Sequence, residues 1–422
     1  MKNPLRLDPR LMPGLFKPRE IPPTAGMLLN WCDFFSTDSN LERGLENYFD
    51  NETKIRLLSS GTASLIIILS ALKKLSPQKD EVIIPAFTCP LVAIACHQAG
   101  LKIKLCDFER ETDQLDINYL SAIITDKTLC VIPTHLGFAP QRMQEILSLA
   151  KSKNIFVVED AAQALGATIS QTQAGLLGDV GFFSLTAGKG LTIFEGGFIA
   201  CANQTILDKI DESIKELSSS SILSELILSL KLIAYKLLYN PFALSIVYGA
   251  PLRANLKNGD EIKALDEIFS LQIPIRQVGS FRRAVGLSAL KRLNEFTRQK
   301  RHHAQILMNK LKELESLGLF LVEEPSLSNT GCFAYVLVRA EKGLLRDKIL
   351  NLLWSQGLGL SKAFACELTA YKYLERFVPK TSCPNAESFA RQSLTISNSH
   401  YMSESDMDKI IALIKSLDSS QV

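Results

Sequence analysis

Four short stretches of the chain carry residue types that could act together chemically. Ser59-Ser60-Gly61-Thr62-Ala63 stands where a loop turns into a helix. A helix N-terminus offers free backbone N–H groups and partial positive charge to an anion such as phosphate. Taken alone, such a stretch is more often a plain N-cap. Asp160 ends an apolar run from Ile155 that reads as a strand, the end at which open α/β sheets place ligands. Small Ala161 and Ala162 leave room beside it, and Gln163 follows within reach. Ser184 and Lys189 come just past another strand, in a loop that runs on to Glu195-Gly196-Gly197. A single lysine so placed is commonly a solvated surface charge. An anion cradle, a carboxylate and a later lysine are together the parts of a pyridoxal phosphate site. There the lysine forms a Schiff base, the carboxylate keeps the pyridine nitrogen protonated so that the ring acts as an electron sink, and the cradle holds the phosphate.

Other chemistries fit less well. Gly188-Lys189 resembles the end of a P-loop, but Phe183 replaces its first glycine and Gly190 stands where Ser or Thr should bind magnesium. Gly175, Gly178 and Gly181 precede a strand instead of opening a helix after one, so the dinucleotide fingerprint fails. Five histidines without an H-E-x-x-H pattern give little support to a zinc site, and no metal is expected.

These residues need a scaffold, and residues 55–201 supply the pattern of one. Short β-branched runs alternate with helical patterns, as in a parallel sheet flanked by helices. The predicted strands are Glu81 to Phe87, Lys102 to Phe108, Thr128 to His135, Ile155 to Asp160, Val180 to Leu185 and Gly197 to Cys201. Helices are predicted at Thr62 to Leu75, Pro90 to Ala99 and Gln141 to Lys153. Beyond Cys201 the texture becomes helical, with Leu223, Leu226, Ile227, Leu230, Ile233, Ala234, Leu237 and Leu238 at helical spacing and Pro241 as a stop. That stripe is expected to pack on the body or on a second subunit and help wall the site, with a membrane-surface helix or substrate lid as the alternative. No stretch there is long enough to span a bilayer. A long helix from Phe281 to Leu317 should lead into strands near Leu319 to Glu323 and Cys332 to Arg339, a helix near Leu344 to Gln356 and a closing helix Ser403 to Leu417.

The chain of 422 residues, 46% hydrophobic and 22% charged, is long enough for a large domain and a smaller one. The expected division is an arm over 1–40, a large α/β domain over 41–280 with a helical insertion at about 203–274, and a C-terminal α+β domain over 281–422. Six prolines between Pro4 and Pro23 suit an extended arm. A net charge of +3 without long like-charge runs makes nucleic acid a poor partner. Nine cysteines, scattered through apolar runs with no C-x-x-C pair, read as reduced core thiols and, with no apolar leader at the N-terminus, as a cytoplasmic protein.

The order Ser-Gly-Thr-Ala (60–63), Ile-Pro-Ala-Phe-Thr (84–88), Glu-Asp-Ala-Ala-Gln-Ala-Leu-Gly-Ala (159–167), Leu-Gly-Asp-Val-Gly-Phe-Phe-Ser (177–184), Lys189 and Glu-Gly-Gly (195–197) resembles the DegT-type sugar aminotransferases, fold-type I pyridoxal phosphate enzymes. Ala284 to Leu287 and Cys383 to Ile396 resemble later landmarks of that family. The resemblance implies that Lys189 holds the cofactor and Asp160 partners the pyridine nitrogen. It places Gln163 beside the phenolic oxygen and makes Thr62, Ala63 and Ser184 phosphate contacts. It further implies a homodimer that moves an amino group, usually from glutamate, onto a keto group of a nucleotide-linked sugar. Family members that dehydrate sugars have histidine at the lysine position, so Lys189 points to transamination. A non-catalytic regulator of the same fold would need neither Lys189 nor Asp160. Three departures stand out. Cys89 occupies the place of an aromatic that stacks on the ring, with Phe87 as a candidate substitute. Ile275 falls where an asparagine should reach the partner subunit's phosphate, with Arg276 as a candidate replacement. The insertion from Asn203 to Pro274 is longer than expected.

Overall fold

The computed structural model describes residues 14–136, 140–218, 221–322 and 329–417. The first 13 residues, which hold three of the arm's six prolines, and Glu323 of a predicted strand lie outside the described residues.

In chain order the first strands are β1 (Lys54–Leu58), β2 (Glu81–Pro85), β3 (Lys102–Cys106), β4 (Thr128–Val131), β5 (Phe156–Asp160), β6 (Thr168–Ile169), β7 (Thr172–Gln173), β8 (Val180–Ser184) and β9 (Gly197–Cys201). Seven form one sheet in the order β1-β9-β8-β5-β4-β2-β3. The pairs β2/β3, β2/β4, β4/β5 and β5/β8 are parallel. Helices cover both faces, which is why β4 and β9 are buried along their whole length and read as unbroken apolar runs. The Gly61–Leu75 helix runs through the middle of the core, with Leu65 to Leu69 buried all round. The expected α/β architecture is present, as in fold-type I transferases.

The Gly197–Cys201 strand departs from the parallel expectation, since β9 runs antiparallel to both β8 and β1. An antiparallel return needs only a hairpin-like loop and no crossover helix. The loop is the Lys189 segment. The return also sets Gly197 opposite both Ser184 and Leu58, so the end of β8, the end of β1 and the helix that starts at Gly61 meet at one level.

The second sheet joins β10 (Leu319–Leu321), β12 (Tyr335–Ala340), β13 (Leu360–Ser361) and β14 (Ser393–Ser397) in the antiparallel order β10-β12-β14-β13. Short β11 (Asn329–Thr330) pairs instead with β6 of the first half. The long predicted helix is two, Ser280–Leu290 and Leu293–Leu311, followed by a 3-10 turn. The break falls at Arg292, whose backbone has ψ near 0 and whose guanidinium grips Asp33 at 2.8 and 2.7 Å.

The described part of residues 203–274 is mostly helical as expected, with helices Gln204–Leu217, Ile222–Leu238 and Ala250–Lys257, and leaves helix after Ala264. The face of the Ile222–Leu238 helix that meets the body is Leu228 and Leu232, extended by Tyr235 and Tyr239, whereas Leu223, Leu226, Ile227 and Leu230 are exposed. The chain's own body therefore leaves most of the predicted stripe uncovered, with only Ile233 and Ala234 half-buried. All nine cysteines are free, and five are buried; Cys32 is exposed, against the expectation of a core thiol. No helix among the described residues is long and apolar enough to cross a membrane.

Candidate functional site

Asp160 closes β5 with its backbone locked on both sides, its N–H donating to Pro133 O at 2.9 Å and its C=O accepting from His135 N at 3.0 Å. The residue is 4% exposed. One carboxylate oxygen accepts from Ala162 N at 3.1 Å, while the Thr134 hydroxyl stands 3.5 Å from the other, a weak contact at that distance. Burial pushes its pKa up to about 6, with the Ala162 amide, Lys189, His135 and Thr134 only partly offsetting the cost. A buried carboxylate so thinly supplied with donors is a ready site for a cationic group.

The neighbouring acid is differently employed. Glu159 is fully buried and accepts from the N–H groups of Gly175, Leu177 and Gly178 at 2.9, 2.5 and 2.6 Å. His135 takes its remaining capacity at 2.9 Å. Because Gln141 N donates to His135 Nδ1, the other ring nitrogen donates to Glu159. The glycine series explains itself here, since a Cβ on Gly181 would lie 2.1 Å from Gly175 O and one on Gly178 2.7 Å from Val157 O. These glycines let a loop close over β5 and β8, so they serve packing.

Lys189 lies in the loop between β8 and β9, its N–H donating to Thr186 O at 3.1 Å. Burial lowers the pKa of its amine, while Cys89, Asp160 and Cys332 act in the opposite sense. A cleft brings Lys189 together with Ser184, Gln163 and Ala162. Ser184 also shares a hydrogen bond of 2.8 Å with Thr186 and touches the start of the central helix, where a Cβ on Gly61 would lie 3.4 Å from its own. Gly197 backs the same turn, with a Cβ there 2.2 Å from Gly61 N. Thr62 and Ala63 stand at this helix start outside the cleft lining. Ala63 N already donates to the Ser60 side chain at 3.0 Å, which leaves the amides of Gly61 and Thr62 as the free donors of the first turn.

Two candidate substitutes behave differently from each other. Phe87 is 1% exposed and meets Phe108, Phe364 and Phe389 edge-on, so it is a core residue and no ring-stacking substitute. Cys89, close enough to Lys189 for their charges to interact, occupies that side with its thiol pushed up to about 12 by burial. Arg276 is half-buried, and its backbone clips to Ser59, with Ser59 N donating to Arg276 O at 2.8 Å and Arg276 N to Ser59 Oγ at 3.2 Å. Ile275 is buried in the core.

Sequence spacing missed what the second half contributes. Tyr335 donates its hydroxyl to Gln163 Oε1 at 2.7 Å, and Cys332 Sγ donates to Gln163 O at 2.6 Å. Phe296, Thr297 and Ala334 also line the cleft, as does Ala25 of the arm. Thr24 donates to Gly188 O at 2.9 Å and Met27 N to Lys189 O at 3.4 Å, so the arm is tied to the lysine loop.

A family model described as the DegT/DnrJ/EryC1/StrS aminotransferase family matches residues 27–224 and 278–415. A GDP-perosamine synthase of Escherichia coli O157:H7 is 32% identical over 179 residues, 42% of this chain and 49% of that protein. The match thus spans about half the length of that curated relative. A GDP-4-keto-6-deoxy-D-mannose 3-dehydratase of Yersinia pseudotuberculosis is 24% identical over 75% of this chain and 74% of its own length. The crystal structure of an aminotransferase, TlmJ of Streptoalloteichus hindustanus, shares the fold at a TM-score of 0.72 with 18% identity, covering 94% of this chain and 98% of that one.

Proposed function

The chain belongs to the DegT/DnrJ/EryC1/StrS aminotransferase family, and from that premise we propose that it moves an amino group from an amino acid, glutamate by preference, onto a keto group of a nucleotide-linked sugar. The carrying observation is that an amine made less basic by burial, Lys189, lies close enough to a thinly bonded buried carboxylate, Asp160, for their charges to interact, although Asp160 itself sits behind the cleft lining.

Pyridoxal phosphate is the cofactor of the family, and when bound it supplies the electron sink for bonds at the substrate carbon. The residues fit it. Asp160 would give its negative charge to the protonated ring nitrogen, which removes the cost of burying that charge alone. Lys189 would hold the cofactor through Nζ and, once freed, use the same nitrogen to carry a proton to and from the substrate carbon. Tyr335 donates to Gln163 Oε1 and so helps hold the Gln163 side chain, which would stand beside the phenolic oxygen. The Ser184 hydroxyl and the Thr62 amide would meet the phosphate, and Ala63 joins them only if Ser60 releases its cap. Cys89 would lie against the ring where the family usually has an aromatic. A homodimer, with residues 41–280 and 281–422 as its two domains in each subunit, completes the proposal.

The dehydratase relative supports a second reading, sugar dehydration, but Lys189 stands where the dehydratase pattern has histidine. A panel of GDP-, UDP- and TDP-linked keto-sugars with glutamate, read by mass spectrometry of the sugar and by 2-oxoglutarate release, separates the two. An amino-sugar with stoichiometric 2-oxoglutarate supports transamination; a dehydrated sugar without it overturns the proposal.

A further inference from the structure

We propose that the Ile222–Leu238 helix docks this protein on the surface of an anionic phospholipid bilayer, lying in the interface without crossing it. The family model leaves residues 225–277 unmatched, a stretch that holds most of this helix and its outward face.

The helix has two apolar faces. At about 100° per residue, Leu228, Leu232, Tyr235 and Tyr239 share one narrow arc, and they meet the body. Leu228 and Leu232 are buried, and Tyr239 O accepts from the Tyr401 hydroxyl at 2.7 Å. Glu225 lies beside that arc and fixes the helix through Arg282, at 2.6 and 2.7 Å. The opposite arc, about 140° wide, carries Ile222, Leu223, Leu226, Ile227, Leu230 and Leu237, all exposed, Ile222 to 90%, with Ile233 and Ala234 half-buried among them. Such a contiguous set differs from the scattered single apolar residues normal on protein surfaces.

Charge selects the occupant. Lys231 and Lys236 fall at the two edges of the exposed arc, and residues 226–259 contain no aspartate or glutamate at all. An apolar face flanked by lysines is the pattern of a helix lying in a lipid interface, where the stems stay apolar and the ammonium groups reach anionic headgroups. A second copy of this chain fits less well. A two-fold contact with its axis through this face would set lysines against lysines without a carboxylate on the face to pair them, and lysine is depleted in such interfaces. Trp31, half-exposed, lies with its ring 5.8 Å from Lys236 Nζ, and Phe35 nearby on the same short turn is 79% exposed. Aromatic rings beside a lysine-edged apolar helix suit the headgroup level. A helix of 17 residues is about 26 Å long, short of the roughly 30 Å hydrocarbon core, which agrees with lying in the plane.

The test uses the cofactor-loaded protein and vesicles of phosphatidylcholine with or without 30% phosphatidylglycerol. The protein should float with the anionic vesicles and bind the neutral ones at least tenfold more weakly. Trp31 gives a second readout, because the only other tryptophan, Trp354, is buried: its emission should shift to the blue on anionic vesicles and the shift should vanish in Trp31→Phe. Leu226→Ser/Leu230→Ser/Leu237→Ser should abolish flotation while leaving the sedimentation coefficient and the cofactor absorbance unchanged. Should that variant fail to fold, Lys231→Glu/Lys236→Glu, which removes two ammonium groups that sit over the Phe194 and Trp31 rings, should bind anionic vesicles at least about 25-fold more weakly, at about fivefold per lysine lost. Two results overturn the proposal. One is a parent protein that ignores anionic vesicles, most decisively if the triple variant also sediments as a smaller species, which would assign the face to a second copy. The other is a charge-reversed variant that binds as well as the parent. Neither result bears on the transamination reading.

Discussion

Replacing Asp160 by asparagine should stabilise the cofactor-free protein while crippling the loaded one. The asparagine side chain would keep the acceptor for Ala162 N and nearly the same volume, so the change is one of charge. In the folded chain the carboxyl titrates at about 6, against 3.8 for the unperturbed group, because burial disfavours its ionised form. The folded state therefore binds this proton more tightly than the unfolded state does. Below pH 4 both states hold the proton and burial of the group costs nothing in charge. From pH 4 to 6 the folded state loses stability progressively, and above 6 the full cost stands. Two units at 1.36 kcal/mol each make that cost about 3 kcal/mol. Cofactor-free Asp160→Asn should accordingly be more stable than the parent at pH 8 by up to about 3 kcal/mol, with the gap closing by pH 4. Urea denaturation across that pH range measures it. With saturating pyridoxal phosphate the order should reverse, because only the parent offers the ring nitrogen a charge, and activity of the variant should fall well over tenfold. A variant less stable than the parent at pH 8, or a difference that does not change with pH, would refute the burial argument. A loaded variant retaining more than a tenth of the activity would refute the assignment of the nitrogen.

Borohydride reduction of the loaded protein followed by peptide mapping should label Lys189, and Lys189→Ala should lose both the label and transamination; a label on any other lysine overturns that role. Gly197→Ala puts a methyl group 2.2 Å from Gly61 N, so the start of the central helix must shift. Cofactor affinity measured by absorbance titration should fall at least about tenfold, and an unchanged affinity would remove this turn from the phosphate site. Glu225→Ala leaves Arg282, fully buried, without its carboxylate. Stability by chemical denaturation should drop by about 3 kcal/mol, and a loss under 1 kcal/mol would mean that the Glu195 carbonyl, which also accepts from Arg282, suffices.

The elements legible in the sequence were those whose burial matches one simple period. β4 and β9 are buried along their length because helices cover both faces, β5 and β8 nearly so, and the strand-end positions of Asp160 and Ser184 follow from the last two. β1 went unread because it alternates, with Lys54 exposed and Arg56 turned out to pair with Asp211 at 2.6 Å. β14 went unread for the opposite reason, since Ser393, Thr395 and Ser397 are as buried as Leu394 and Ile396 and no apolar run marks it. The cleft was half legible: Lys189, Gln163 and Ser184 lie within one stretch of sequence order, whereas Tyr335, Cys332 and Phe296 reach it only because the second half folds back. The Ile222–Leu238 helix marks the limit of periodicity as an argument. A 3.6-residue repeat of leucines establishes that a helix has an apolar arc, but this helix has two, and hydrophobicity alone does not rank them. The body meets the arc that carries Tyr239 and sets Glu225 beside Arg282. The leucine-rich arc was left outward because nothing in it needed the protein. What covers that arc is therefore decided by its neighbours in charge, Lys231 and Lys236, and an anionic lipid surface is the partner that satisfies both the leucines and the lysines at once.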